Sequence, residues 1–131
     1  MMPETPEPPR PTDAELEILT VLWARGPSTV REVHDAIAQR KPALYTTVLK
    51  MLQIMSEKTL VLRDERQRAH VYCASQPREW TQRQLAGDLL RRAFGGSASS
   101  LVLGALSAQK ATPEELAEIR RMIEKHERGE S

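Results

Sequence analysis

Residues 44–72 read LYTTVLKMLQIMSEKTLVLRDERQRAHVY, and this stretch constrains the fold more than any other. Its first part has a helical rhythm over residues 43–58. At about 100° per residue, Thr46, Lys50, Gln53 and Glu57 fall within one narrow polar stripe, with Thr47 at its edge. Val48, Met51, Leu52 and Met55 lie on the opposite side. Residues 60–62 then read as a strand and residues 69–72 as its return, joined by the polar turn Asp64-Glu65-Arg66-Gln67. A hairpin this small is not stable alone in water and must pack on the helices before it. Helix and hairpin therefore share one core.

Two helices are expected upstream. Thr12 and Glu15 have the spacing of a capping box, which satisfies free backbone N–H groups at a helix start. The helix they open, residues 13–25, buries Leu16, Leu19, Leu22 and Trp23, widened by Ile18 and Val21, until Gly26-Pro27 stops it. Thr29 and Glu32 repeat the spacing and open a helix to about residue 39, with Val30, Val33 and Ile37 on one face. Lys41-Pro42 breaks it. Downstream, Ser75-Gln76-Pro77 reads as a linker to a helix over residues 77–94 that carries Leu85, Leu89 and Leu90. A shorter helix over residues 98–108 has Leu101, Val102, Leu103 and Leu106 on nearly all sides. The last helix opens with Thr112, Pro113 and Glu115, and Leu116, Ile119, Met122 and Ile123 form its seam. The helix over residues 98–108, apolar on nearly all sides, needs cover, and so few residues remain that a second chain is the expected source.

The totals agree with a small, mainly α protein. The chain has 131 residues, 40% of them apolar but only five aromatic, and glycine is too sparse for a turn-rich β protein. Cys73 is the single cysteine, so no internal disulfide is expected. No apolar run approaches the roughly 20 residues that cross a bilayer, so no membrane insertion is expected. The opening MMPETPEPPRP is proline-rich and acidic, unlike a secretory signal, and reads as a disordered tail on a cytoplasmic protein. Net charge is +1, yet residues 1–35 hold three basic and seven acidic groups, whereas residues 36–76 hold seven basic and three acidic. A basic segment of that kind is an electrostatic footprint for nucleic acid.

Catalysis finds little support. His70 and Cys73 are three apart on an expected strand and so face opposite ways, while His34 and His126 lack a partner at ligand spacing. There is no phosphate-binding glycine loop, nucleophile elbow or metal-ligand cluster, so no catalytic residue, metal or cofactor is expected. Three helices followed by a basic hairpin are the order of a winged helix-turn-helix, whose last helix enters the major groove with the hairpin beside it. Thr46, Thr47 and Lys50 suit base edges. Arg63, Arg66 and Arg68 on the hairpin, with Thr29, Arg40 and Lys41 before the third helix, suit phosphates, which fix register without reading sequence. Tyr45 either bonds a phosphate through its hydroxyl or packs. The rival reading is a winged-helix protein-interaction module without specific DNA binding; added salt weakens DNA binding steeply but not an apolar interface.

EILTVLWARGPSTVREVHDAI, YTTVLKMLQIMSEKTLV, RAHVY and SLVLGAL together resemble the penicillinase and methicillin-resistance repressors of the BlaI/MecI type, with their copper-responsive CopY relatives, over residues 12–126. The resemblance implies a homodimeric winged-helix repressor on an inverted-repeat operator in double-stranded DNA. Tail composition and the linker divide the chain into a disordered tail (1–11), a DNA-binding domain (12–76) and a helical region (77–131), for which the resemblance implies dimerisation, with Leu85, Leu89, Leu101, Val102, Leu106, Leu116, Ile119 and Ile123 as the expected contacts. Thr59 stands where the family usually has glycine, which implies a reshaped turn. The clustered cysteines of copper sensors are absent, which implies no metal sensing. In antibiotic-responsive members an upstream sensor pathway leads to cutting of an Asn-Phe bond; by position the matching bond is Gly104–Ala105, where Asn-Phe is absent.

Overall fold

A computed structural model describes residues 8–130. Within them the elements follow as α1 (Asp13–Arg25), β1 (Ser28–Thr29), α2 (Val30–Ala38), α3 (Tyr45–Glu57), β2 (Val61–Asp64), β3 (Val71–Ala74), α4 (Arg78–Ala93), α5 (Ala98–Ala108) and α6 (Pro113–Glu127). The fold is mainly helical with one small antiparallel sheet, a winged helix-turn-helix arrangement at the N-terminal end.

The caps form as their spacing requires. Thr12 Oγ1 accepts the Glu15 N–H at 3.2 Å while Glu15 Oε1 accepts the Thr12 N–H at 2.9 Å. Thr29 and Glu32 repeat both bonds at the same lengths. Gly26, at φ 86°, turns the chain out of α1. At the end of α3 the Leu60 N–H reaches back to the Met55 carbonyl at 2.9 Å and the Thr59 N–H to Ser56 at 3.1 Å. This pair of bonds requires a left-handed residue between them, and Thr59 supplies it at φ 62°. The turn is therefore kept rather than reshaped, with a β-branched residue held where glycine fits more easily.

Ile18, Leu19 and Leu22 of α1, Val33 and Ile37 of α2, and Val48, Leu52 and Met55 of α3 converge on one core, closed from the sheet side by Val61 and Tyr72. Glu15 is only 4% exposed, and its carboxylate accepts from Lys58 Nζ at 2.8 Å, tying the start of α1 to the end of α3. Burial pushes this carboxyl up, but the hydrogen bonds from Lys58 and Thr12 and the Lys58 charge outweigh it and leave it below its ordinary range.

The sheet corrects the two-stranded expectation. Its order is β1-β3-β2, with Ser28 opposite Tyr72 and Thr29 opposite Val71, so the residues just after Gly26-Pro27 form a third strand. Two residues are too few to show alternation in a sequence. The hairpin strands also lie later than 60–62 and 69–72: Val61 pairs with Ala74, Arg63 with Tyr72 and Asp64 with Val71. The Ser75 N–H and hydroxyl both bond the Leu60 carbonyl, at 3.0 and 3.1 Å, which fixes the base of the ladder beyond the expected register.

The chain forms two compact units divided between residues 86 and 87, inside α4, whereas the expected boundary is 76/77. The first turns of α4 belong with α1: Thr81 is buried, Trp23 Nε1 donates to the Gln76 carbonyl at 3.0 Å, and Arg78 lies over the Trp23 ring at 5.9 Å. Of the expected disordered tail, residues 1–7 lie outside the described residues. Pro11 is buried, and the Pro8 carbonyl accepts from Gln84 at 3.0 Å. In the second unit neither α5 nor α6 buries any residue.

Two stability measurements follow. Thr59→Gly is expected to stabilise the first unit by about 0.5–1 kcal/mol, the relief of left-handed strain exceeding the added backbone entropy of the unfolded chain. It should appear as a higher urea midpoint at constant slope. Glu15→Gln is expected to destabilise by about 1–3 kcal/mol at neutral pH. Because the folded carboxyl titrates below its ordinary 4.5, its contribution is complete above that pH and vanishes as pH falls through the folded value, so wild type and variant should converge in acid.

Candidate nucleic-acid interface

Burying Val48, Leu52 and Met55 turns the opposite side of α3 outward, and Thr46, Thr47, Lys50, Gln53 and Glu57 are all exposed there. The three residues expected at base edges thus share one accessible face. Leu44 begins the helix without a side-chain acceptor, and the first turn carries no acidic residue. The positive end of the helix dipole is thus met by no side-chain cap and no carboxylate of its own first turn, a setting that favours anions. Leu44 itself is 71% exposed, and Ile54 lies exposed further along the helix. Neither residue belongs to the apolar side that helical periodicity marks out, Val48, Met51, Leu52 and Met55.

Beside this face, the start of α2, the first turns of α3 and the wing enclose an open groove of about 490 Å³. It brings together Thr29, Tyr45, Arg63 and Arg68, all expected to meet backbone, with Arg31, Gln53 and His70, which were not. Tyr45 is held from two sides: the Arg31 guanidinium lies 5.4 Å from its ring centroid and the His34 ring meets it edge-on at 5.9 Å. His34 Nε2 lies 2.9 Å from the Ala43 carbonyl, linking α2 to the turn before α3. Tyr45 therefore packs, and it also lines the groove. Arg31 escaped notice because it falls in the acidic first segment; only its place two residues after the Thr29 cap signals the shared wall. The Thr29 hydroxyl accepts the Glu32 N–H, which leaves its own proton to donate.

The cations divide into two groups. Lys41 Nζ pairs with Glu17 at 2.9 Å, Arg63 pairs with Glu65, and Arg66 pairs with Asp64 at 2.7 Å. The Arg66 side-chain hydrogen bonds, then its backbone N–H and charge, pull the Asp64 carboxyl down to about 2, and Arg66 rises correspondingly. Arg63 is held above its ordinary range, first by the Tyr72 hydroxyl and then by Glu65. Arg40, Lys50 and Arg68 are exposed and, among the described residues, have no ion-pair partner.

Other expected positions fall elsewhere. His70 precedes β3 rather than lying on it, and Cys73 is a half-buried strand residue. Among the described residues no cluster of His, Cys, Asp and Glu could hold a metal ion, and no helix is long and apolar enough to cross a membrane. Leu85 lines a recess with Leu16, Trp23 and Thr81 in the first unit. Leu89, Val102, Leu106 and Ile123 are exposed, as are Leu103 and Met122, which the expected dimerisation set omits. The Gly104–Ala105 bond lies inside α5, where a side chain at Gly104 would meet the Phe94 ring at 3.3 Å. A protease needs an extended strand of substrate, so cutting there requires α5 to open locally.

The profile of the family described as penicillinase repressor matches residues 11–125. The chain is 39% identical over 82 residues to the transcriptional regulator BlaI of Mycobacterium tuberculosis (strain CDC 1551 / Oshkosh), a match covering 62% of this chain and 59% of that one. It thus spans less than two thirds of that relative's length. The penicillinase repressor of Bacillus licheniformis is 25% identical over 118 residues, covering 90% of this chain and 92% of its own. A solution structure of the monomeric form of the Bacillus licheniformis BlaI with the blaP half-operator matches at a TM-score of 0.49 and 23% identity, over 56% of this chain and 89% of that one. With its matched profile running through both units, the chain belongs to the penicillinase repressor family of BlaI/MecI type.

Proposed function

We propose that this protein is a sequence-specific DNA-binding transcriptional repressor that acts as a homodimer on an inverted-repeat operator. The observation that carries the reading is the exposed polar face of α3 lying beside a groove walled by Arg31, Arg63 and Arg68. The names of its relatives, a transcriptional regulator and a penicillinase repressor, point the same way. The family is one of repressors, not an enzyme class.

A major groove roughly 12 Å wide admits one helix. With α3 inserted, Thr46 and Thr47 reach base edges or thymine methyl groups, and Lys50 donates to guanine acceptors. The cationic groove then faces the adjoining backbone. Tyr45, fixed by Arg31 and His34, offers its hydroxyl to a phosphate without losing side-chain entropy on binding. One domain reads few base pairs, so specificity requires two half-sites held at fixed spacing. The exposed apolar residues of α5 and α6 supply the surface for that pairing. A dimer seated on a promoter blocks polymerase.

On an operator selected from the organism's own genomic fragments, Thr47→Ala is expected to cost about 1–3 kcal/mol, confined to one base pair of each half-site. Arg31→Ala or Arg68→Ala should instead weaken every duplex alike and reduce the salt slope by about 1. Arg66→Ala should do less than Arg68→Ala, since Arg66 already holds an anion. Binding that ignores salt would favour the protein-interaction module. For the dimer, Leu103→Asp is expected to convert a two-chain sedimenting species into single chains. Operator affinity should then become steeply dependent on protein concentration.

A further inference from the structure

The wing carries its own anions. Asp64 closes a tight ring with Arg66: Oδ1 accepts from the Arg66 backbone N–H and Nε, each at 3.0 Å, and Oδ2 accepts from the guanidinium at 2.7 Å. Glu65 pairs with Arg63. Arg68 alone of the three wing arginines has no ion-pair partner among the described residues. A carboxylate presents two acceptor oxygens to a guanidinium fork much as a phosphate does. Two of the three wing arginines therefore already hold what DNA would offer them.

We propose that Asp64 and Glu65 are intramolecular competitors of DNA phosphate at the wing, residues that set how strongly the domain holds duplex regardless of its sequence. The inference rests on the DNA-binding reading above. When the wing meets a backbone, Arg63 and Arg66 exchange one anion for another, so little is gained per contact. The displaced carboxylates also stay within the field of the duplex, where like charge repels. The wing thus acts with a net charge of +1, from three arginines and two carboxylates, rather than with the +3 of its arginines. Phosphate contacts dominate sequence-independent affinity, so this trimming falls on the component that carries no base information.

The test uses the full chain with Asp64→Asn and Glu65→Gln together. Both replacements are isosteric, and the amide introduced by Asp64→Asn keeps an oxygen for the Arg66 backbone N–H, so the turn is preserved; circular dichroism checks the fold. Binding to a short duplex of arbitrary sequence is followed by fluorescence anisotropy across a salt series. The double variant is expected to bind about three- to tenfold tighter near 0.1 M salt, with the slope of log affinity against log salt steeper by about 0.9 per arginine released. Repeating the substitutions on Arg63→Ala/Arg66→Ala should abolish most of that gain, because the competitors would have nothing left to hold. Unchanged affinity, or weaker binding because the carboxylates in fact orient the arginines, overturns the proposal. So does a full gain without the arginines, which would mark a general charge effect. If the wild type binds no duplex in a salt-dependent way, the DNA-binding reading fails with it, an outcome visible before any variant is made.

Discussion

The first unit depends on the burial of one stripe of α3. Val48, Leu52 and Met55 have at most 3% of their surface exposed, and they belong to one core cluster with residues of α1, α2 and the sheet. Removing that much apolar surface from water is worth a few kcal/mol at each position. It also settles orientation, since a helix with one face fixed in a close-packed core has no freedom to rotate. Thr46, Lys50 and Gln53 point outward because of what lies behind them, not through any interaction of their own. The Glu15–Lys58 bond adds a second constraint, anchoring the far end of α3 to α1. A surface built this way needs no ligand to assemble it, and the cost of ordering it is met during folding.

Much of this was legible in the sequence, and the legible parts share a physical cause. Thr12 with Glu15, and Thr29 with Glu32, fix their helix starts through bonds between residues three apart, so local spacing is enough. The polar stripe of α3 is likewise set by helical periodicity. What was not legible depends on partners distant in the chain. β1 is two residues long and exists only because Tyr72 and Val71 lie opposite it. The hairpin register is fixed at its base by Ser75 and Leu60, fifteen residues apart. Thr59 implied a reshaped turn because threonine resists positive φ. The turn persists because two backbone bonds and the buried Leu60 after it outweigh a strain of about 1–2 kcal/mol.

Charge shows the same division. Counting residues 36–76 as basic overstated the segment's free charge, because Lys41, Arg63 and Arg66 are each met by a carboxylate. Conversely, Arg31 lay in a segment whose sum is acidic and yet shares a groove with Arg63 and Arg68. A helix cap brings it there: Thr29 starts α2, pairs with β3 as part of β1, and so sets the first turn of α2 beside the wing. Segment sums average over faces, whereas phosphate recognition depends on one face.

The second unit poses the opposite problem. Residues 98–108 are apolar enough to belong in a core, but α5 buries nothing, and Leu103 is 67% exposed. The unit is about the size at which a chain usually needs a disulfide, a metal or a partner to stay folded. The single cysteine, Cys73, lies in the first unit, so a disulfide within the second is impossible. On the proposed reading, pairing with a second copy is therefore a condition for the second unit's own stability as well as for operator recognition. Folding, dimerisation and the joining of two half-sites then become one linked equilibrium. Any event that opens α5 would release the two reading heads from each other while leaving each head folded, and duplex affinity would fall back to what a single domain supports.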